Sequence, residues 1–301
     1  MVVRGPAVPW SCRAVSAASR TVDRHATVKG VTELPALTCR QLRFAFGDTV
    51  AVDGIDLTVV QGEIFGLLGP NGAGKTTTIR AINTLLPVPP GTIEVFGHDV
   101  ARHPMAVRRA IGYVPQLLSA DGALTAEQNV ALFARLYDVP RRHRRAAVAE
   151  ALEAVGLADV ADRPARTFSG GMIRRLELAQ ALVSAPRLLI LDEPTIGLDP
   201  VARVTVWERI LSVRERTGMT VLVTTHYMAE AQRWCDRVAL MHRGRLRAVG
   251  TPARLIEQVG GESLDDVFRA HTGDDLTDGP DDRGGGMRSV RATRRTASRL
   301  G

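Results

Sequence analysis

An α/β fold, in which a largely parallel sheet is interrupted by a block of helices, is what this sequence predicts, on three observations. The apolar run "GEIFGLLG" (residues 62–69) leads straight into the glycine-rich "GPNGAGKTTT" (69–78), the pattern of a buried strand feeding a loop and then a helix. Two more apolar runs, "RLLILD" (187–192) and "TVLVTT" (220–225), alternate with the helical stretches "VARVTVWERILSVRERTG" and "YMAEAQRWC". That alternation is the logic of parallel strands joined by crossover helices. Between about 125 and 185 the period is helical throughout, with apolar residues at i, i+3, i+4 and i+7 in "AEQNVALFARLYDV", "RRAAVAEALEAVGL" and "GMIRRLELAQALVSA".

The remaining elements follow in chain order. Residues 1–36 are rich in Ser, Ala, Arg and Pro without sustained periodicity, and are expected to form a flexible extension. "LTCRQLRFAF" and "VDGIDLTVV" alternate like half-buried strands, with Gly47-Asp48 and Asp53-Gly54 expected to mark turns. "KTTTIRAINTLL" continues the glycine loop as a helix, and "RVALMHRGRLRAVG" is a hairpin turning at Arg243-Gly244. The main unit is expected over 37–256, with a helical subdomain at about 120–180, a short helical segment over 257–273 and a disordered Asp- and Arg-rich tail over 274–301.

Composition narrows the function classes. A chain of 301 residues, 45% hydrophobic and 24% charged, can bury a sizeable core. The net charge of +7 is unevenly placed: residues 1–37 hold five Lys/Arg against two acids, and 274–301 six Arg against five Asp. The middle therefore carries only +3, which argues for a solvated arginine-rich surface and against a nucleic-acid stripe. Cys12, Cys39 and Cys235 are odd in number and lack metal-ligand spacing, as expected of a reducing compartment. No run of about 18 apolar residues is present, so the expectation is a cytosolic chain or one held at a membrane through a partner.

Only two lysines occur, Lys29 and Lys75, among 39 basic residues. Lys75 stands in G-x-x-x-x-G-K-[ST], formed by Gly69, Gly74, Lys75 and Thr76. Glycines let the backbone N–H groups of Gly69, Pro70's neighbours Asn71 and Gly72, Ala73, Gly74 and Thr77 surround an anion, and the following helix adds its positive end. A compact ammonium fits between β- and γ-phosphate oxygens where a planar guanidinium is too broad. Thr76 offers its hydroxyl to Mg²⁺. In "RLLILDEP", Asp192 ends a strand where it can reach the Mg²⁺ shell, and Glu193 can orient or deprotonate the attacking water.

"FSGGM" (168–172) precedes a helix, and here the chain resembles the nucleotide-binding subunits of ATP-binding cassette (ABC) transporters. The order P-loop, "VPQ", "FSGGM", "LDEP", "GLD", "TTH" carries the resemblance, which covers about residues 37–256. It implies a P-loop cassette with a RecA-like parallel-sheet core, an N-terminal antiparallel β subdomain and an inserted α-helical subdomain. It implies that Ser169, Gly170 and Gly171 bind the γ-phosphate held by the opposite subunit's P-loop, and that Asp199 crosses the dimer. Gln116 matches the glutamine that reaches Mg²⁺ and the water, and begins the segment facing the membrane subunit; His226 matches the γ-phosphate sensor. Phe46 matches the aromatic that stacks on adenine, with Phe44 as a rival.

The implied protein is an ATP hydrolase with ATP and Mg²⁺ as cofactors, a second ATPase subunit and a separate membrane permease as partners, at the cytoplasmic face of the membrane. No nucleic acid is expected. Phe168 and Met172 stand where Leu and Gln are commoner, and Ile196 where a small residue is frequent. "SGGM", "RRLELAQALV", "TTHYMAEA" and "LDDVFRAHTG" resemble the daunorubicin-resistance and antibiotic-exporter branch, which also contains exporters of lipids and polysaccharides. The alternative is a soluble ABC ATPase acting on the ribosome or nucleic acid. Translation members usually carry two cassettes and DNA-repair members a long coiled coil, neither of which this sequence shows. A GTPase or kinase is disfavoured because no N-K-x-D motif occurs.

Overall fold

Two sheets share the work of positioning one loop. The structure, a computed structural model, describes residues 35–273. Strands β1 (Pro35–Phe46) and β2 (Thr49–Val60) form an antiparallel hairpin, and β3 (Ile64–Leu68) runs into helix α1 (Lys75–Ile82). β4 (Ile93–Val95) and β5 (His98–Asp99) complete a four-stranded sheet in the order β2-β1-β4-β5. Helix α2 (Pro104–Ala110) leads to β6 (Ile111–Val114), and the helical block is α3 (Ala126–Leu136), α4 (Arg144–Ala154) and α5 (Gly170–Leu182). β7 (Leu188–Asp192), α6 (Pro200–Thr217), β8 (Thr220–Thr225), α7 (Met228–Trp234), β9 (Arg237–His242) and β10 (Arg245–Gly250) follow. α8 (Pro252–Val259) and α9 (Leu264–Thr272) end the described chain.

The second sheet has the order β10-β9-β3-β8-β7-β6, all parallel except the β9–β10 hairpin. Its central strands are buried on both faces, which explains their unbroken apolar reading. Leu188 and Ile190 join one apolar cluster with the antiparallel sheet and α1, while Leu189 and Leu191 join the other with the helical block. Cys39 and Cys235 are free, buried and in different clusters; burial pushes the Cys39 thiol up to about 12.

Several details differ from the sequence reading. Asp53-Gly54 lies inside β2, where the pairing register with β1 shifts, and there is no turn. Gly54 takes φ +70° and Gln41 on the partner strand φ 47°, the backbone of a bulged pair. α1 stops at Ile82 because Thr84 is left-handed, and Arg243-Gly244 turns as expected with φ 48° and 75°. Pro35 and Ala36 already belong to β1, and the rest of the expected extension, with Cys12 and the 274–301 tail, lies outside the described residues. Among the described residues no helix is long and apolar enough to cross a membrane.

Candidate active site

The parallel strands deliver their functional residues to one edge. Leu68 pairs with Thr225 and Asp192 with Thr224, so β8 separates the loop after β3 from the carboxylates after β7 by one strand. Open sheets of this kind bind ligands at that carboxyl edge. The loop itself is held by close backbone approach. A Cβ at Gly69 (φ +155°) would lie 2.1 Å from the Met241 carbonyl oxygen, and one at Gly74 (φ +106°) 2.4 Å from that of Ala51. Only glycine fits at either position. No side chain caps α1 at Gly74 and its first turn holds no acid, which leaves its N-terminal N–H groups for an anion.

Lys75 is 4% exposed. Its Nζ donates to the carbonyls of Gly69 (2.6 Å) and Pro70 (3.1 Å) and lies 3.2 Å from Glu193 Oε1. Glu193 Oε2 is 2.9 Å from His226 Nδ1, which completes a chain of three side chains. Burial lowers the Lys75 ammonium, and Glu193 opposes that shift. Burial raises the Glu193 carboxyl, but the His226 hydrogen bond and the Lys75 charge outweigh it and hold the group below its ordinary value. Burial is the dominant effect on Asp192 and raises it. The chemistry available is therefore a carboxylate kept ionised next to a cation, with a second, costlier carboxylate beside it.

Asp192 Oδ1 accepts from Thr224 Oγ1 at 2.6 Å and lies 3.5 Å from Thr76 Oγ1, the outer limit of a hydrogen bond. That pair of oxygens fits Mg²⁺, which takes one carboxylate, a hydroxyl, water and substrate phosphates rather than an all-protein cage. An open cleft of about 490 Å³ is lined by Thr49–Ala51, residues 70–77, Gln116 and Glu193.

Thus Lys75, Thr76, Gln116, Asp192, Glu193 and His226 come together, and other expected residues do not. Ser169 and Gly170 are exposed and neither lines the cleft; Ser169 caps α5 by accepting from the Met172 N–H at 3.3 Å. Asp199, also exposed, caps α6 with Oδ1 accepting from Val201 and Ala202, both at 3.0 Å. These two caps are neighbours: a Cβ on Gly171 would lie 2.9 Å from that of Ala202. Phe46 is 50% exposed and meets Phe44 edge-on at 5.0 Å, whereas Phe44 packs against the core. Of the two aromatics, Phe46 is the one left for a ligand.

Sequence reading missed three supports. Thr224 donates to Asp192 and accepts from the Glu193 N–H at 3.0 Å, fixing both carboxylates. Arg174 and Glu177 form a buried pair at 2.9 Å on α5. Arg174 also donates to the carbonyls of Pro115 (2.8 Å) and Gln116 (3.0 Å), and Glu177 accepts from Ser119. The signal was present as an Arg and a Glu at i, i+3 among apolar positions of a helix. Glu230 on α7 accepts from Thr195 (2.7 Å) and Trp207 (3.0 Å).

Known proteins are similar to this chain in sequence and in fold. The family described as ABC transporter matches residues 52–196. The daunorubicin resistance ATP-binding protein DrrA3 of Streptomyces coeruleorubidus is 45% identical over 234 residues, 78% of this chain and 74% of that protein. The Nod factor export ATP-binding protein I of Ralstonia nicotianae is 40% identical over 247 residues, 82% and 75% of the two chains. Among solved structures, an ATP-binding subunit of an ABC transporter superposes with TM-score 0.70 at 31% identity, covering 79% of this chain and 99% of that one. The cbiO1 protein of Clostridium perfringens, part of the ABC transporter complex cbiONQ, gives 0.68 at 29% identity, covering 75% and 92%.

Proposed function

We infer that this chain, which belongs to the ABC transporter family and hydrolyses ATP as an ATP-binding subunit of its drug-exporter branch, drives export of a drug- or antibiotic-like small molecule through a separate permease. The observation that carries the reading is the Lys75–Glu193–His226 chain beside Asp192 and Thr76 at one cleft, which Lys75, Thr76 and Glu193 line. The names of the relatives, which speak of daunorubicin resistance and Nod factor export, support a small-molecule cargo.

Each residue then has a task. Backbone N–H groups of residues 71–77 and the Lys75 ammonium hold the β- and γ-phosphates, and Phe46 stacks on the adenine. Thr76, Asp192 and Gln116 hold Mg²⁺, which when bound neutralises charge on the phosphates. Phosphate entry gives Lys75 a more highly charged partner and releases Glu193 to take a proton from water. His226 keeps Glu193 oriented and ionised. Ser169, Gly170 and Asp199 stand exposed and, with Gly171, lie outside the cleft. In this reading they serve a second subunit, identical or paralogous, in a head-to-tail pair that closes around two ATP molecules. Closure is the step that the permease responds to.

In this reading the permease docks at a groove of about 200 Å³ between Leu85, Arg108, Tyr113 and Tyr137. Leu85 in that lining is 60% exposed, and Leu117 and Leu118, which follow Gln116, are 82% and 61% exposed, apolar side chains that a partner could cover. Such docking holds the chain at the cytoplasmic face of the membrane. Glu193→Gln is expected to bind ATP without turning it over and to elute as a dimer on size exclusion with ATP. A variant that stays monomeric with ATP and turns over at the wild-type rate would overturn the reading. Lys75→Ala is expected to abolish turnover.

A further inference from the structure

Arg203, on the first turn of α6, takes no part in holding or cleaving the nucleotide, yet it joins two segments that do. Its Nε donates to the Leu198 carbonyl at 2.9 Å, the residue before Asp199. Its Nη2 donates to Tyr227 Oη at 3.3 Å, and its guanidinium carbon lies 4.2 Å from the centre of the Tyr227 ring. The Tyr227 ring in turn sits 4.1 Å from that of His226, whose Nδ1 holds Glu193. A continuous set of contacts therefore runs from the 195–199 loop to the ionised carboxylate of the active site.

A second observation points to the same arginine. Glu230 Oε2 is satisfied by Thr195 and Trp207, but Oε1 is buried with no hydrogen-bond partner. A carboxylate oxygen stranded in this way is costly. The group facing it is Arg203 Nη1, at 3.9 Å. Charge-assisted hydrogen bonds run about 2.7–2.9 Å, so a displacement of about 1 Å would give Glu230 its donor. The guanidinium thus has one set of partners in use and another within a short step. Thr195 belongs to both sides, since its carbonyl accepts the Leu198 N–H at 3.2 Å while its hydroxyl is bound to Glu230.

We propose that Arg203 is a positioning residue that registers the 195–199 loop against the His226–Glu193 pair, exchanging Leu198 and Tyr227 for the free oxygen of Glu230 when the loop moves. Loop movement on contact with a second subunit would in this way be felt by the carboxylate that activates water. The proposal rests on the reading that Asp199 meets that subunit and that Glu193 acts on ATP.

The test is steady-state ATP turnover of the full chain. Arg203→Met is expected to lose about tenfold in kcat while the KM for ATP stays within about twofold and the thermal midpoint falls by only about 2–6 °C, leaving the chain folded at the assay temperature. Tyr227→Phe keeps the ring but not the hydroxyl, and is expected to lose about twofold; combined with Arg203→Met it adds no further loss, because both act through one contact. Arg203→Lys restores the charge but not the fork, and is expected to leave kcat low. Unchanged kcat in Arg203→Met, full recovery in Arg203→Lys, or multiplicative loss in the double variant would each overturn the proposal. Lys75→Ala measured alongside separates the two readings. If it is inactive while Arg203→Met is normal, only the Arg203 proposal fails; if it is active, the nucleotide-site reading fails with it.

Discussion

Burial raises the Glu193 carboxyl, yet His226 and Lys75 bring it below its ordinary value, so a buried acid is kept as a base. Because its folded value is depressed, Glu193 contributes stability that is present above the ordinary carboxylate range and lost as pH falls through the folded value. Catalysis that needs the carboxylate loses its acid limb over the same interval. Replacing His226 by Ala removes the larger of the two groups holding the value down. The acid limb of the kcat/KM profile is then expected to move to higher pH, and an unmoved limb would refute the role given to His226. Of this chemistry the sequence disclosed Lys75 through its glycine motif and Asp192 and Glu193 through their place after a strand, while His226 came only from the family resemblance. It did not disclose Thr224, because a Thr in an apolar strand carries no sign that its hydroxyl lies between two carboxylates.

Among the elements, α5 does two jobs at two places along its length. Its N-terminus presents Ser169 and Gly170 outward, while Arg174 and Glu177, 3% and 1% exposed at their side chains, tie it inward to the segment Pro115–Ser119. A buried pair of this kind is weak evidence of stability as a pair, but breaking it is expensive. Arg174→Ala is expected to destabilise the protein by about 3–5 kcal/mol, because Glu177 is left charged and buried. Arg174→Met with Glu177→Leu is expected to recover most of that stability in a denaturant melt while turnover stays low, since the Gln116 carbonyl loses its donor. Recovery of turnover together with stability would show that the pair serves packing alone. The helical block was legible because three long stretches hold a helical period. β5 and α2 were not, because β5 has two residues and α2 buries only Val107. The Asp53-Gly54 pair misled because a bulge places a left-handed glycine inside a strand as readily as a turn does.

The whole molecule presents a complete phosphate loop at one place and an exposed serine-glycine cap at another, and neither reaches the other within one chain. This division is the part of the function that sequence order could suggest only by resemblance, since nothing in "FSGGM" says which loop it serves. It has a consequence that mixing can measure. A chain with Lys75→Ala keeps its cap but lacks a working loop, and one with Ser169→Arg keeps the loop but lacks the cap. In a head-to-tail pair formed from one of each, one of the two composite sites has both defects and the other has neither. Random exchange puts half of the pairs in this mixed form, each with one intact site of two. The equimolar mixture is therefore expected to recover about a quarter of wild-type turnover if the sites act independently, from two preparations inactive alone. The recovery should rise with protein concentration, because it depends on association. A chain whose loop and cap served the same site would show no recovery at any ratio, and each defect would then remain confined to the chain that carries it.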